Sequence, residues 1–566
     1  MLRRISTLAV LAAAVAAPAH AQGTQLLPGV TYDKTVEFTP HGAVVLHVLT
    51  APRPGDQNGL YQLTPVLSRS TLTGGRERVT QIERDVSAQA TVAGINGDLF
   101  NATSGLPAGV FMSGGVLAHP PVGTRSSIGI DSFGALHVDR VKFFGTWRGT
   151  GQRRPLNGLN QVPAQGQVVL LTPAFGSKAP SIPGSAEVVL EPFPATAANV
   201  DLSASVSATG SNGGEAIPAD GAILQATGSL AVALRAEASL GTRIATRLIL
   251  QPAWGGMVSA LGGGPILVRN SAPVFRSGED FTNDQVTARS PRAGVGQLAD
   301  GRIILVAVDG DQPGYSAGLT GFELAQTMAR LGAVTAAGVA SGPDVTVAFD
   351  GQLLNRPSAP GGERAVKEAL LVQYFGVYAP PPPLPLLTGE AGKKQEQLSY
   401  KIVRPSQVTA QLIGPDNQPR VLEASVQHDP GSYAFTYSSF DVEGTWHWNV
   451  IATDDAKRTS TIDRVFRYDT TLRGLSVPKP ARGTAAIRFT LSRPASVRLR
   501  IETTNGVLVR EVPPVSLPAG AQAVVWDGRL PHGTRAYGGR YVAHVFVTSS
   551  VGTSDLSLPF SFRRSG

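Results

Sequence analysis

The chain has 566 residues, 42% hydrophobic and 16% charged, with 64 glycines and 42 prolines. That is the composition of a folded chain of about three or four domains, with turn residues frequent enough to favour many short strands. A net charge of +8 without any dense Lys/Arg block interleaved with aromatics argues against nucleic-acid binding, and the lack of cysteine excludes disulfides, thiolate zinc sites and thiol nucleophiles.

Residues 1–21 read as a secretory signal peptide. Arg3 and Arg4 form a basic start, Leu8 to Ala17 an apolar stretch, and Ala19-His20-Ala21 an A-x-A cleavage site. The chain is therefore expected to be exported, and to be periplasmic, envelope-associated or secreted. No later stretch reaches 18 apolar residues, so no transmembrane segment is expected in the mature chain.

Residues 24–377 form one large region mixing strand-like runs such as "QVVLLT" and "RIILVAVDG" with few helices, which predicts a sheet-rich α+β domain. The clearest helix is "TGFELAQTMARLG": Thr320 as N-cap, Glu323 three residues on, Gly332 as C-cap, and Leu324, Met328 and Leu331 on one face. A second helix is expected over "GERAVKEALLV", residues 362–372. Residues 378–397, "YAPPPPLPLLTGEAGKKQEQ", read as a proline-rich linker with a charged flexible tail.

An internal repeat follows. "LSYKIVRPSQVTAQLIGPDNQPRVLE" matches "IRFTLSRPASVRLRIETTNGVLVREV" at a spacing of 89 residues, and "GTWHWNVIATD" corresponds to "GGRYVAHVFVTS". Apolar and polar residues alternate in both copies, with turns about every 8 to 12 residues, the pattern of two β-sandwiches at 398–470 and 475–566. The second copy, through "VVWDGRLPHGTRAYGGRYVAHVFV", resembles the Ig-like domain of flagellar hook-capping proteins. Trp526 and Tyr541 are expected as core anchors, with carbohydrate stacking as the other reading.

Two catalytic motifs are set aside. "GYSAG" fits G-x-S-x-G, but "DGDQP" separates Ser316 from the preceding strand, and no histidine follows before the proline-rich segment to serve as base. The nine histidines include no H-E-x-x-H, and neither a metal nor a cofactor is expected.

Five segments in order carry a different signal: "ATVAGINGDLFNATSGLPAGVFMSGGVL", "LGGGPILV", the stretch from "ARSPRAGVG" through "VAVDGDQPGYSAG" to "MARLGA", "TAAGVASGPDVTVAFDG", and "NRPSAPGGERAVKEALLV". Together they resemble the phosphodiester glycosidase family over most of residues 60–372. The resemblance implies hydrolysis of a sugar-1-phosphodiester, with a glycan or sugar phosphodiester as partner and envelope components as further partners of the Ig-like domains. Such chemistry needs groups that handle protons at the sugar carbon and donors that hold phosphate. Candidates for binding are Arg289 and Arg292 (otherwise a surface pair held by "DGD"), Asn96 (otherwise an Asx-turn), and the N–H groups of Gly263 and Gly264 (otherwise a tight turn). Candidates for catalysis are Asp98 beside Asn96, Asp309 at a strand end, Glu323 (otherwise a helix cap) and Asp344.

Two departures from the family pattern stand out. Where the family usually carries "NLDGGGS", this chain has "GVASGPD", Gly338 to Asp344: Ala340 replaces an acid and Pro343 a glycine. Where it usually has D-G-R, this chain has Asp311. Two functions therefore stay open: an exported hydrolase of envelope sugar-1-phosphodiesters in which Asp344 substitutes for the lost acid, or an inactive relative that binds glycan or phosphate polymer as a scaffold.

Overall fold

The computed structural model describes residues 23–55, 59–274, 278–479 and 481–564; the expected signal peptide lies outside them. Strand accounts for 51% and helix for 7%, so the fold is sheet-rich, as the turn-punctuated sequence implies. No helix among the described residues is long and apolar enough to cross a membrane.

The chain divides into two compact units. One comprises Met1–Pro54, Leu63–Glu83 and Ala93–Val372; the other comprises Gly55–Gln62, Arg84–Val92 and Gln373–Gly566. The first unit is thus not one continuous stretch, and it ends at 372.

Its largest element for function is an eight-stranded sheet in the order Thr24–Leu27, Val30–Thr39, Gly42–Ala51, Ile303–Val308, Arg292–Leu298, Ala333–Gly338, Ile266–Arg269, Ala272–Pro273. The helix Gly321–Arg330 packs on it. Its capping box is formed as the sequence implies: the Thr320 hydroxyl accepts from the Glu323 N–H and the Glu323 carboxylate accepts from the Thr320 N–H. Leu324 and Met328 are buried against the sheet. The strand beneath carries Gly296, where a Cβ would sit 2.9 Å from Met328 Cε, so glycine lets helix and sheet approach.

A five-stranded sheet runs Gln352–Leu353, Val347–Phe349, Thr91–Asn96, Glu368–Tyr374, Tyr61–Leu67, and another runs Val116–His119, Phe111–Ser113, Met257–Gly262, Ser127–Asp131, Leu136–Asp139. A second eight-stranded sheet holds a separate core around Trp147, Leu170, Leu224 and Leu248.

The helix expected over 362–372 does not form. Glu368–Tyr374 is a strand between Thr91–Asn96 and Tyr61–Leu67. An apolar run buried on both faces has no period to distinguish helix from strand, and the flanking strands decide it. Lys367, just before this strand, is buried and donates to the Thr71 and Gly75 carbonyls at 2.9 and 2.8 Å.

The second unit contains the repeat. In the first copy, strands Glu396–Ile402 and Gly431–Tyr437 face a five-stranded sheet around Ser406–Ile413 and Gly444–Asp454. In the second, Ala485–Leu491 and Gly520–Trp526 face a sheet around Ala495–Thr503 and Gly539–Ser549. Trp446 and Tyr541 occupy equivalent strands, and each donates to the carbonyl four residues earlier, Val442 at 2.9 Å and Tyr537 at 2.7 Å. Trp526 is fully buried, so both anchors serve the core and neither offers a stacking face.

The segment 378–397 is not a free spacer. Leu386–Leu387 pairs in parallel with the strand Thr459–Tyr468, Val377, Ala379 and Leu387 join the first sandwich core, and Glu396 is buried. The alternation of proline with leucine supplies apolar side chains that the composition argument discounted. Replacing Trp526 with alanine is expected to destabilise the second sandwich by about 3–5 kcal/mol, read as earlier urea unfolding and faster amide exchange in its strands, with the first sandwich unchanged.

Candidate functional site

Strand ends from three sheets of the first unit meet at one place, and the loop 338–344 lies across it. Its backbone is tied on all sides: Ala340 N–H to Gly97 O at 3.0 Å, Val339 N–H to Ala293 O at 3.0 Å, Gly342 N–H to Pro291 O at 2.9 Å, and Gly338 O accepting from Gly264 N–H at 2.8 Å. Asn96 is fully buried; its amide donates to Ala340 O at 2.9 Å and its Oδ1 accepts from the Thr346 N–H at 3.1 Å. Asn96 therefore fixes the loop. Pro343 sits in a 3-10 turn, Gly342–Asp344, where its fixed φ suits the backbone.

Beside this loop is a cavity of about 170 Å³ lined by Arg125, Arg292, Gln285, Ser290, Ser341 and Phe281, with Gly264 and other small or apolar residues completing it. Arg292 is buried and donates to three carbonyls: Leu319 at 3.0 Å, Gln285 at 2.5 Å and Ala288 at 2.6 Å. Among the described residues no carboxylate pairs with it. Burial pulls its pKa below the usual guanidinium range, offset in part by the charge of Asp311.

Arg125 forms a two-point ion pair with Asp98, with Nη1 at 3.1 Å from Oδ2 and Nη2 bonded to Oδ1; its Nε is buried without a partner among the described residues, and its guanidinium lies 5.1 Å from the Phe281 ring centroid. Asp98 is itself buried behind Arg125. Burial raises its pKa and Arg125 opposes the rise. Gly109 and Gly262 press on it: a Cβ on Gly262 would come within 2.0 Å of Asp98 Oδ2. Next to Asp98, Glu368 is buried, accepts the Asp98 N–H at 3.1 Å through Oε1 and leaves Oε2 without a partner among the described residues. Burial first, and then the charge of Asp98, push the Glu368 carboxyl up to about 8.

The other candidates lie elsewhere. Arg289 pairs with Glu323 and donates to Gly318 O at 3.2 Å, so Glu323 serves cap and ion pair together. Asp309 anchors a buried network: His47 Nε2 at 2.9 Å, the Tyr315 hydroxyl at 3.0 Å and the Asn355 amide at 2.9 Å. Asp344 is buried and paired with Arg364 at 3.0 Å. The N–H groups of Gly263 and Gly264 are spent on Ser126 O and Gly338 O, at 3.0 and 2.8 Å, which leaves neither to donate to a ligand. Ser316 is buried, its hydroxyl bonded to Asp309 O at 2.5 Å and to Val45 N–H at 3.0 Å, in keeping with its rejection as a nucleophile. Among the described residues no cluster of three metal-ligating side chains occurs.

Thus the cavity contains Arg292 and Gly264 of the nominated residues, with Asp98 one side chain behind it. Sequence reasoning missed Arg125 and Glu368. Arg125 follows a Gly-Thr turn just before the alternating strand Ser127–Asp131, a position that merited notice. Glu368 was hidden inside the supposed helix.

Residues 196–373 match the phosphodiester glycosidase family. Residues 476–550 match the FlgD Ig-like domain. The glycosidase match takes in Arg292, Asp309, Glu323 and Asp344 and begins after Asp98 and Arg125, so it is narrower than the resemblance read from the motifs. At the level of the family it supports a hydrolase-like function. No curated protein matches the chain.

Among solved structures, a hypothetical protein from Synechocystis is 25% identical with a TM-score of 0.51, over 61% of this chain and 62% of that one; this chain thus spans less than two thirds of it. A putative exported protein from Burkholderia pseudomallei is 24% identical over 58% of this chain and 74% of its own (TM-score 0.47). The zebrafish N-acetylglucosamine-1-phosphodiester alpha-N-acetylglucosaminidase catalytic domain, auto-inhibited by its pro-peptide, is 13% identical over 62% and 86% (TM-score 0.33).

The raised Glu368 pKa has a stability consequence. The folded chain holds this proton up to about pH 8, whereas the unfolded chain releases it near the ordinary carboxyl value. Its contribution is complete below the unfolded pKa and is lost as pH rises through the folded one. Glu368→Gln is expected to flatten the fall in unfolding free energy between about pH 4.5 and 8 by on the order of 3–5 kcal/mol, measured by urea unfolding of both proteins across that window.

Proposed function

We propose that the first unit binds the phosphodiester group of an envelope glycan, as an exported relative of the phosphodiester glycosidases in which recognition outweighs turnover. One observation carries this reading. The cavity presents two guanidinium groups, two serines and an amide, and none of its lining residues is a carboxylate. Arg292, hydrogen-bonded to carbonyls and, among the described residues, to no carboxylate, is the natural partner of a phosphate oxygen, because a charge-assisted bond would supply a direct counter-ion. Arg125, held in place by Asp98, would meet a second oxygen. Asp98, Asp309, Glu323 and Asp344 are each engaged by the fold, and Ala340 stands where the family usually has an acid.

The second reading, hydrolysis, is favoured by the family match and by Asp98 lying directly behind Arg125. In that case water would add at the anomeric carbon, the bond from that carbon to the bridging oxygen would break, and the phosphate monoester would leave between the arginines. The Ig-like modules would then hold the domain at its envelope substrate.

Calorimetric titration with the methyl phosphodiesters of glucose 1-phosphate and N-acetylglucosamine 1-phosphate tests the binding reading. Arg292→Ala and Arg292→Lys are each expected to weaken binding by about 10–100-fold, with affinity falling as salt rises. Unchanged affinity in both variants would overturn it. Release of reducing sugar by the wild type, abolished by Asp98→Asn, would establish the second reading instead.

A further inference from the structure

A second cavity, of about 440 Å³, opens beside the first; it is lined by Asp311, Gln312, Tyr315, Ser316 and His41, among others. The two are neighbours. Gly310 packs on the Ser290–Pro291 backbone so closely that a Cβ there would lie 2.6 Å from Pro291 N, and Ser290 lines the first cavity.

The wall of the second cavity is rigid. Gln312 and Ser316 close a tight turn, with Ser316 N–H to Gln312 O at 2.9 Å and Tyr315 N–H to Gln312 O at 3.0 Å. The Tyr315 hydroxyl is fixed on Asp309 at 3.0 Å, and the Arg356 guanidinium lies 4.8 Å from its ring centroid. The Gln312 amide is tied to Arg356 O at 2.7 Å.

Within this fixed frame Asp311 is different. It is exposed, its backbone is left-handed at φ 55, and among the described residues its carboxylate makes no hydrogen bond or ion pair. Every carboxylate nominated from the sequence is engaged; this one is not. Burial raises its pKa and the charge of Arg292 draws it down.

We infer that this second cavity is a saccharide subsite, in which Asp311 accepts hydrogen bonds from sugar hydroxyls while the pyranose ring lies against Tyr315. An ionised carboxylate offers about four acceptor positions and can take two neighbouring hydroxyls at once, and a fixed aromatic ring gives a sugar's C–H face an apolar surface. The arrangement rests on the phosphodiester reading and extends it: the phosphate lies at Arg292 and the sugar reaches past Ser290 to Asp311.

The coupling of Asp311 to Arg292 gives a signature that loss of a merely structural contact would not produce. Removing the Asp311 charge takes acceptors from the sugar but also strengthens the positive field at the phosphate. Calorimetry on the full chain with dimethyl phosphate and with the two glycosyl methyl phosphodiesters separates these effects. Asp311→Asn is expected to weaken the glycosyl probes about tenfold while dimethyl phosphate binds as tightly as to the wild type or more tightly. Asp311→Gly, which suits the left-handed backbone, should reproduce the loss. The inference is overturned if glycosyl probes bind the wild type no better than dimethyl phosphate, or if the variants weaken all probes equally or none. Should dimethyl phosphate fail to bind while the glycosyl probes still depend on Asp311, the phosphodiester reading fails and the saccharide subsite stands.

Discussion

A guanidinium buried against three carbonyl oxygens, with no carboxylate among the described residues paired to it, is the constraint on which the site depends. Desolvating a positive charge is expensive unless dipoles and hydrogen bonds compensate. Around Arg292 the compensation comes from carbonyls of Gln285, Ala288 and Leu319, all contributed by segments that flank the cavity. Those segments must therefore hold their positions for the arginine to stay buried. Arg292 lines the cavity, and none of the other lining residues is a carboxylate. Arg125 shows the opposite solution: Asp98 supplies a full counter-charge, and the pair acts as a rigid strut at the cavity wall.

The loop that departs most from the family pattern is held as firmly as either arginine. Ala340 gives its N–H to Gly97 and its carbonyl to Asn96. A side chain lost at this position does not loosen the loop, because the backbone carries the contacts. The position of this loop thus rests on its backbone contacts and not on the side chain at 340.

How much of this was legible in the sequence depended on distance along the chain. The capping box of the helix Gly321–Arg330 and the alternation of the sandwich strands are written within a few residues, and both are found in the fold. Arg292 and Asn96 could be singled out from motifs, but not their partners: Asn96 bonds to residues about 250 positions away. Whether a carboxylate is free or engaged is set by such remote contacts, as with Asp309 and His47 or Asp344 and Arg364. Local patterning also misled. The run from Ala365 to Val372 holds good helix formers, yet two neighbouring strands claim it for a sheet. Proline composition marked 378–397 as a spacer although its leucines and its buried Glu396 belong to a core.

That last segment bears on where each sandwich begins as a folding unit. In both sandwiches a short strand upstream of the repeated sequence, Leu386–Leu387 in one and Ala481–Arg482 in the other, runs parallel to the module's closing strand. Each leader covers the rim of its module's last strand, so a fragment cut where the two sequences begin to look alike would leave that edge bare. The first module, as a folding unit, therefore starts in the proline-rich stretch.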